Sequence, residues 1–208
     1  GKPNWNTRDA LWTTGVATPD GWTFVIPMHT SSPSHKESVG YIYNNEITNT
    51  WEAEKNFGEK FDVEVTRHLT FESYIAREPV IDGRIFLQGN KLFFLEPLES
   101  TATEAYLHWT KEIVSAIVEG RKPNIKKYIR QIQNFILWHY QFGSKYDTPF
   151  WDYAKTLIST DDSFNKFLYV ADQMTWDQAI ASTKYGYAQW PPFSFKYWHE
   201  GMTLYTGE

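Results

Sequence analysis

The stretch FLEPLEST at residues 94–101 constrains the fold more than any other part of the chain. Residues 84–89 before it are typical of a short buried strand that ends at a glycine, and residues 101–120 after it have the apolar period of a helix. Thr101 and Glu104 have the spacing of a capping box, which predicts that a helix starts here. The sequence therefore predicts a strand, a tight turn that carries two glutamates, and a helix.

The start of this predicted helix is suited to an anion. Its first backbone N–H groups have no partner within the helix, and they form the positive end of the helix dipole. A carboxylate beside an anion site is costly unless it has a function there. Spacing alone favours a capped helix with surface glutamates, and a functional turn is the alternative.

Composition excludes several partners and several kinds of chemistry. A net charge of −5 argues against DNA or RNA as a partner, and the lack of cysteine excludes disulfides and thiolate chemistry. No apolar run of the sequence is long enough to cross a bilayer. We therefore expect a cytoplasmic protein without a membrane partner. Aromatic residues make up 18% of the chain, with 10 Trp, which predicts a strongly aromatic core or pocket.

The first hundred residues contain the strand signals. Strands are predicted where apolar and aromatic residues alternate, at residues 22–27, 40–43, 61–70 and 84–89. The first two are expected to form a hairpin around a Ser/Pro-rich loop at 29–37. A helix is expected at 47–57, and Asp82–Gly83 predicts a hairpin turn that leads into the last strand.

The second half of the chain is predicted to be helical. Apolar periodicity and capping residues indicate helices at residues 101–120, 124–143, 149–158, 161–173 and 175–181. Gly120 and Pro123 separate the first two of these helices, and Asn124 caps the second. His108 and His139 lie within helices, where we expect packed or surface histidines and not metal ligands. The aromatic end at 186–198 is expected to pack in the core.

Two motifs resemble a known enzyme family. FLEPLEST at 94–101 is similar to the C-terminal signature of the flavin-dependent halogenases of the tryptophan halogenase family. The run Trp22-x-Phe24-x-Ile26-Pro27 resembles the Trp-x-Trp-x-Ile-Pro motif of the same family, with Phe24 in place of the second tryptophan.

Two further segments strengthen this resemblance. Residues 40–43 resemble the strand that follows the tryptophan motif in the family, and His139–Tyr140 with residues 147–151 resembles the helical C-terminal region. The likeness extends over roughly residues 20–155.

The resemblance implies an α+β fold, in which a small antiparallel sheet and a mainly helical C-terminal lobe belong to a larger Rossmann-type, FAD-dependent monooxygenase-like fold. Residues 1–100 would form a β-rich part that completes the flavin and substrate domain, and residues 101–208 a helical substrate-binding lobe. Family members are longer and carry a flavin-binding half before this region, whereas this chain has no Gly-x-Gly-x-x-Gly turn. We therefore expect the C-terminal part of a larger enzyme, inactive on its own.

The resemblance also assigns roles to the signature turn. Glu99 matches the active-site glutamate, which would orient the halogenating species and stabilise the cationic ring intermediate. Ser100 matches the adjacent serine, which would contact substrate or relay protons. Thr101 and Ala102 match the Thr–Gly pair whose backbone N–H groups hold the halide. Because Ala102 replaces a glycine, the halide pocket is expected to differ in shape.

Other residues match the surroundings of the reaction. Trp22 and Phe24 match the wall between the flavin and the substrate, and Phe24, being smaller than tryptophan, is expected to loosen it. Gly89, Leu95 and Pro97 are expected to contact the flavin through backbone atoms. The catalytic lysine of the family belongs to the N-terminal half and has no counterpart in this sequence.

The implied reaction is halogenation of an electron-rich aromatic substrate, such as tryptophan, indole or another arene. Reduced FAD, supplied by a flavin reductase, would act with O₂ to convert chloride, bromide or iodide into hypohalous acid. Two alternatives remain at this point: a flavin-dependent aromatic monooxygenase, favoured by Phe24 and Ala102, and a non-catalytic helical binding module. A homo-oligomer is left open.

Overall fold

The computed structural model describes residues 13–28, 36–61, 64–157, 161–182 and 185–204. These residues form small antiparallel sheets and a larger set of helices, which confirms the predicted α+β class. The described strands are β1 (Thr14–Thr18), β2 (Gly21–Met28), β3 (Lys36–Tyr43), β4 (Tyr74–Ile75), β5 (Val80–Ile81), β6 (Ile85–Phe86) and β7 (Phe93–Phe94). The described helices are α1 (Thr50–Phe61), α2 (Thr101–Glu119), α3 (Lys126–Phe142), α4 (Pro149–Lys155), α5 (Asp162–Gln173), α6 (Trp176–Ala181) and α7 (Pro192–Leu204).

The chain forms two compact units. The first consists of Gly1–Leu69 and Tyr140–Leu157, and the second of Thr70–His139 and Ile158–Gly207. Helix α3 therefore contributes residues to both units.

The first unit is built on an antiparallel sheet in the order β1-β2-β3. Strands β2 and β3 pair along their whole length, which confirms the predicted hairpin. Strand β3 begins at Lys36, so the end of the predicted loop at 29–37 is strand, and residues 29–35 lie outside the described residues. Helix α1 begins and ends later than predicted, because Asn49 Oδ1 accepts the Glu52 N–H at 3.0 Å and fixes the start there.

A buried carboxylate joins the sheet to helix α1. Asp20 accepts hydrogen bonds from Tyr41 Oη at 2.6 Å, Asn56 Nδ2 at 2.8 Å and Thr48 Oγ1 at 3.2 Å. Burial, with the hydrogen bond to Asp20, raises the pKa of Tyr41, so this hydroxyl stays protonated and continues to donate. A buried carboxylate that accepts from three donors is stable where an unpaired one would not be.

Two hydrogen bonds connect helix α4 and the residue before it to the turn between β1 and β2. Trp151 Nε1 donates to the Thr18 carbonyl at 2.6 Å, and Thr148 Oγ1 donates to the Pro19 carbonyl at 2.6 Å. The side chains of Phe150, Trp151 and Ala154 form a small core at this point. The C-terminal part of this unit is thus tied to residues more than a hundred positions earlier in the chain.

Two of the predicted strands are wrong or shorter than expected. Residues 64–73 have no regular structure, so the strand at 61–70 is not formed, and Phe61 ends helix α1 instead. The strand at 84–89 is reduced to β6, and Ile85 is 52% exposed, so it is not buried either. An alternating sequence forms a long strand only where an equally long partner strand is available. Strand β6 is short because its partner, β5, has only two residues. The turn between them is confirmed, with positive φ at Asp82 and Gly83.

The predicted helices of the second half are confirmed, with small shifts at their ends. Helix α2 ends at Gly120, whose φ of 66° is the left-handed C-terminal cap. Asn124 Oδ1 accepts the Lys126 N–H at 3.0 Å where α3 starts, and Thr175 forms a capping box at α6. None of the described helices is both long enough and apolar enough to cross a membrane.

Helix α7 was not predicted, because its sequence is rich in aromatic residues and begins at a proline. Proline is well suited to the first turn of a helix, where its missing N–H costs nothing. Helices α3, α5 and α7 and the turn before α7 surround a group of packed rings that we call the aromatic cluster: Phe135, Trp138, Phe164, Trp190, Phe195 and Trp198. Core packing at the aromatic end is thereby confirmed for Trp190 and Phe195, whereas Trp198 is half-buried beside them and Phe193 is 42% exposed.

His139 packs against this aromatic cluster. Its ring lies 4.3 Å from that of Phe135 and 5.4 Å from that of Trp198, measured between centroids. Nδ1 lies 2.9 Å from the Phe135 carbonyl oxygen, which accepts only, so Nδ1 carries the proton. The buried Nε2 has no hydrogen-bond partner among the described residues. Burial therefore lowers the pKa of His139 to about 4, and the imidazole is neutral at neutral pH.

We expect His139 to make the protein less stable in mild acid. Between its ordinary pKa of 6.5 and the folded value of about 4, the unfolded chain binds a proton at this site and the folded chain does not. The free energy of unfolding should therefore fall by about 3 kcal/mol as the pH falls from 7 to 4. Urea unfolding at several pH values measures this. In His139→Phe the dependence should be weaker by that amount, and parallel pH curves for the two proteins would contradict the assignment.

Candidate active site at a strand–turn–helix junction

The predicted strand–turn–helix arrangement is present, but a different strand forms it. Strand β7 leads through Leu95 and Pro97 into a single 3₁₀ turn, Leu98–Ser100, and helix α2 starts at Thr101. Strand β7 pairs with β4, so the incoming backbone is held by a two-residue ladder. The predicted strand at 84–89 lies one turn earlier in the chain, before the 3₁₀ turn Gly89–Lys91.

Helix α2 and the segment before β4 hold the signature in place. Tyr106 Oη donates to the Phe93 carbonyl at 2.9 Å, and the two rings pack edge to face at 5.3 Å. The Ser73 hydroxyl donates to the Leu95 carbonyl. Trp109, which is fully buried, donates its indole N–H to the Leu87 carbonyl at 2.8 Å. The backbone on the N-terminal side of the turn is therefore fixed by contacts from both sides.

The turn itself contains a strained residue. Ser100 has φ 52° and ψ 28°, a left-handed conformation that costs a non-glycine residue on the order of 1–3 kcal/mol. It is the N-cap of α2, yet its side chain makes no capping hydrogen bond to any described residue. Thr101 is already helical and is 1% exposed, so the predicted capping box of Thr101 and Glu104 is wrong. Strain of this kind is commonly found at functional turns.

The backbone amides of the turn are partly used within it. Ser100 N–H donates to the Pro97 carbonyl at 3.2 Å, and Thr101 N–H donates to the Leu98 carbonyl. Of the two amides expected to hold a halide, that of Thr101 thus already has a partner. The Ala102 amide belongs to the first turn of α2, whose N–H groups find no acceptor within the helix itself.

Two glutamates of the signature have different positions in the structure. The backbone of Glu99 lies in the 3₁₀ turn, directly before the strained Ser100, but its side chain lies outside the described part of the chain. Glu96 is 8% exposed, so its side chain is buried just after strand β7.

The three residues expected to face the flavin lie on both sides of β7. Gly89 has a φ of 55° and opens the 3₁₀ turn before the strand. The carbonyls of Gly89, Leu95 and Pro97 accept hydrogen bonds from Leu92 N–H, the Ser73 hydroxyl and Ser100 N–H respectively. These hydrogen bonds fix the orientation of the three carbonyls.

Trp22 and Phe24 lie on one face of the sheet in the first unit, since they are two residues apart on β2. Their ring centroids are 6.1 Å apart. Trp22 is 8% exposed, and its indole N–H donates to Tyr140 Oη at 3.0 Å. The remaining predicted site residues belong to the second unit, and each group is described within its own unit.

Phe24 is flanked by glycine on both neighbouring strands. It pairs with Gly15 on β1 and with Gly40 on β3. A Cβ added at Gly40 would lie 2.1 Å from Cζ of Phe24, so the phenyl ring covers the glycine. At Gly15 no described atom lies within 4 Å of such a Cβ, apart from the adjoining residues.

Sequence reasoning missed the residues that support the site. Tyr140 was part of a recognised motif, yet nothing in the sequence pairs it with Trp22, which lies 118 positions away. Gly40 was recognised as the start of a strand, but only the strand register of the folded chain determines that it faces Phe24. A buried tryptophan usually finds an acceptor for its indole N–H, but the sequence does not indicate which residue supplies it.

The described residues contain no group of three or more His, Asp or Glu side chains placed to hold a metal ion, and the chain has no cysteine. His139 packs as expected.

We expect Gly40→Ala to displace the Phe24 ring. The new methyl group cannot share space with the phenyl ring, so the free energy of unfolding should fall by about 1–3 kcal/mol. Gly15→Ala is the matched control in the same sheet and should change stability by less than about 1 kcal/mol. Urea unfolding and near-ultraviolet circular dichroism measure both. Equal behaviour of the two variants would show that Phe24 does not cover Gly40.

We expect Ser100→Gly to be more stable than Ser100→Ala by about 1 kcal/mol, because glycine adopts the left-handed conformation without a steric cost. Both variants lack the hydroxyl, so their difference isolates the backbone strain. Thermal unfolding of the two proteins measures it. A more stable alanine variant would argue against the left-handed backbone at this turn.

Comparisons with known proteins agree with this geometry. Residues 6–190 match the sequence model of the tryptophan halogenase family. The chain is 24% identical to tryptophan 7-halogenase RebH of Lentzea aerocolonigenes over 163 residues, covering 72% of this chain and 30% of that protein. It is 25% identical to tryptophan 6-halogenase ThaL of Streptomyces albogriseolus over 168 residues, covering 74% and 30%.

The fold agrees as well. The crystal structure of SttH, a tryptophan 6-halogenase from Streptomyces toxytricini, superposes with a TM-score of 0.68 at 21% identity, covering 90% of this chain and 37% of that one. The chain thus spans about a third of the length of these relatives. Because the family match extends over most of the sequence and includes the strained signature turn, this chain belongs to the tryptophan halogenase family.

Proposed function

We propose that this chain is the C-terminal part of a flavin-dependent halogenase that acts on an electron-rich aromatic ring, with tryptophan as the first substrate to test. The observation that carries the proposal is the signature turn. There, the left-handed Ser100 separates the backbone of Glu99 from the buried Thr101, while Tyr106 and Ser73 hold the strand that leads in. Family membership supports the same reaction class.

The cofactor and the co-substrate follow from this proposal. FAD, reduced by a flavin reductase, would supply the oxidation of chloride, bromide or iodide to hypohalous acid. Gly89, Leu95 and Pro97 would face the flavin through backbone carbonyls. Most of the flavin site would come from a portion of protein that corresponds to the part of the relatives outside the match with this chain. We therefore expect the 208 residues to be inactive without it.

The residues of the turn would divide the remaining work. Glu99 would orient the halogenating species and accept the proton that the substituted ring carbon releases, because its carboxylate is attracted to the positive charge of that intermediate. Ser100 would contact the substrate or pass on this proton. Thr101 and Ala102 would hold the halide through their amides, with Ala102 the main donor because the Thr101 amide already donates to Leu98.

The rest of the chain would serve the substrate. Residues 1–100 would complete the flavin and substrate domain and contribute the wall of Trp22 and Phe24, and residues 101–208 would form the substrate-binding lobe. We further propose a cytoplasmic location and no membrane or nucleic-acid partner; whether the enzyme forms a homo-oligomer is left open.

A flavin-dependent aromatic monooxygenase is the second candidate, and one observation favours it. Phe24 has a smaller ring than the tryptophan of the family motif, and both of its cross-strand neighbours are glycines. A wall with this little volume would separate the flavin from the substrate less completely. The mass of the product, measured with and without bromide, distinguishes the two reactions.

We expect Glu99→Gln to lower the rate of halogenation by about 100-fold or more, since the amide can neither accept the proton nor carry negative charge. The assay combines the chain with a flavin-binding portion, a flavin reductase and bromide, and mass spectrometry measures the brominated arene. Glu104→Gln, in the first turn of α2, is the matched control and should retain wild-type turnover. Wild-type turnover in Glu99→Gln would remove Glu99 from the mechanism.

A further inference from the structure

Trp22 needs an acceptor for its indole N–H. The indole nitrogen donates and cannot accept, and leaving such a donor buried without a partner costs about 1–3 kcal/mol. The side chain is 8% exposed, so water is not an adequate partner. In the structure the acceptor is the Tyr140 hydroxyl, 3.0 Å from Nε1.

Tyr140 is itself held in place. Its ring packs edge to face on Phe150 at 6.0 Å and lies 6.1 Å from the ring of Trp151. Trp151 is fixed in turn by its hydrogen bond to the Thr18 carbonyl. The hydroxyl that meets Trp22 is therefore presented by a rigid group of rings and not by a mobile side chain.

We propose that Tyr140 is the positioning residue of the aromatic wall, and that its hydroxyl determines the orientation of the Trp22 indole. The inference rests on the proposed function, because that function makes Trp22 and Phe24 a wall of the substrate pocket. It also gives Tyr140 and Trp151, which belong to the family-like segments 139–140 and 147–151, a role in supporting the motif at residues 22–27.

Because Phe24 lies next to Trp22, the orientation of the Trp22 indole affects which substrates the wall can accommodate. Its ring lies 6.1 Å from that of Trp22 and covers Gly40, while the position of Gly15 on its other side is open among the described atoms. Without the hydrogen bond, the indole can turn, and Phe24 can follow it towards Gly15. The shape of the wall then changes while the backbone remains in place.

The first test uses the 208-residue chain as it is. Tyr140→Phe removes the hydroxyl and keeps the ring, so the protein should fold. The indole N–H resonance of Trp22, assigned by its loss in Trp22→Phe, should shift upfield and exchange faster with solvent. The matched control Tyr153→Phe alters an exposed tyrosine on helix α4 and should leave this resonance unchanged. An unchanged resonance in Tyr140→Phe would overturn the inference.

The second test uses the flavin-supplied enzyme and compares two arenes of different size, tryptophan and phenol. The ratio of their kcat/KM values should change by about 2- to 10-fold in Tyr140→Phe, the factor that corresponds to one hydrogen bond. A residue that only stabilises the fold would lower both values equally. In a Trp22→Phe background, Tyr140→Phe should have no additional effect on the ratio.

The outcomes separate the two proposals. An enzyme with wild-type Tyr140 that halogenates neither arene refutes the proposed function, before any variant is compared. An active enzyme whose specificity ratio is unchanged by Tyr140→Phe, or changed equally with and without Trp22, refutes the positioning role and leaves the function standing.

Discussion

The arrangement depends on directional hydrogen bonds from three buried tryptophans, each of which donates its indole N–H to a distant residue. Trp22 donates to Tyr140, Trp109 to Leu87 and Trp151 to Thr18, at 3.0, 2.8 and 2.6 Å. In each case the acceptor comes from another part of the chain, up to 133 positions away. Because these donors have no second way of being satisfied in a dry core, each tryptophan acts as a directional connection as well as apolar volume. The three tryptophans therefore specify particular long-range contacts within an aromatic-rich sequence.

These hydrogen bonds mean that the candidate site is supported by residues from other parts of the chain. The signature turn is short and strained, so its conformation depends on contacts from neighbouring residues. Trp109 and Tyr106 on helix α2 attach to the backbone that enters the turn, so the helix that begins at the site also stabilises the strand that leads to it. In the other unit, the connection from Tyr140 reaches the sheet face that carries Trp22. In both cases, the residues that we propose for the site depend on secondary structure packed behind them.

Local chemistry could be predicted from the sequence, and long-range pairing could not. The hairpin of β2 and β3, the stop at Gly120 and the cap at Thr175 depend on neighbouring residues and are confirmed. The strand at 61–70 failed because alternation says nothing about whether a partner strand exists. The capping box failed because Ser100 takes up the left-handed conformation and Thr101 becomes helical, which moves the cap by one residue. At the candidate site, the turn residues are proposed from their resemblance to a family motif, whereas the pairing of Tyr140 with Trp22 is visible only in the folded chain.

The neutral imidazole at position 139 has a consequence of another kind. Its Nδ1 proton is bound to the Phe135 carbonyl, and the opposite nitrogen faces no donor among the described residues. That proton is held in a hydrogen bond beside the packed rings of Phe135 and Trp198, so its exchange with solvent should speed up when the aromatic cluster opens. The rate at which this proton exchanges for deuterium therefore reports how readily the helical core opens locally. It can be measured at one resonance without attaching a label to the protein.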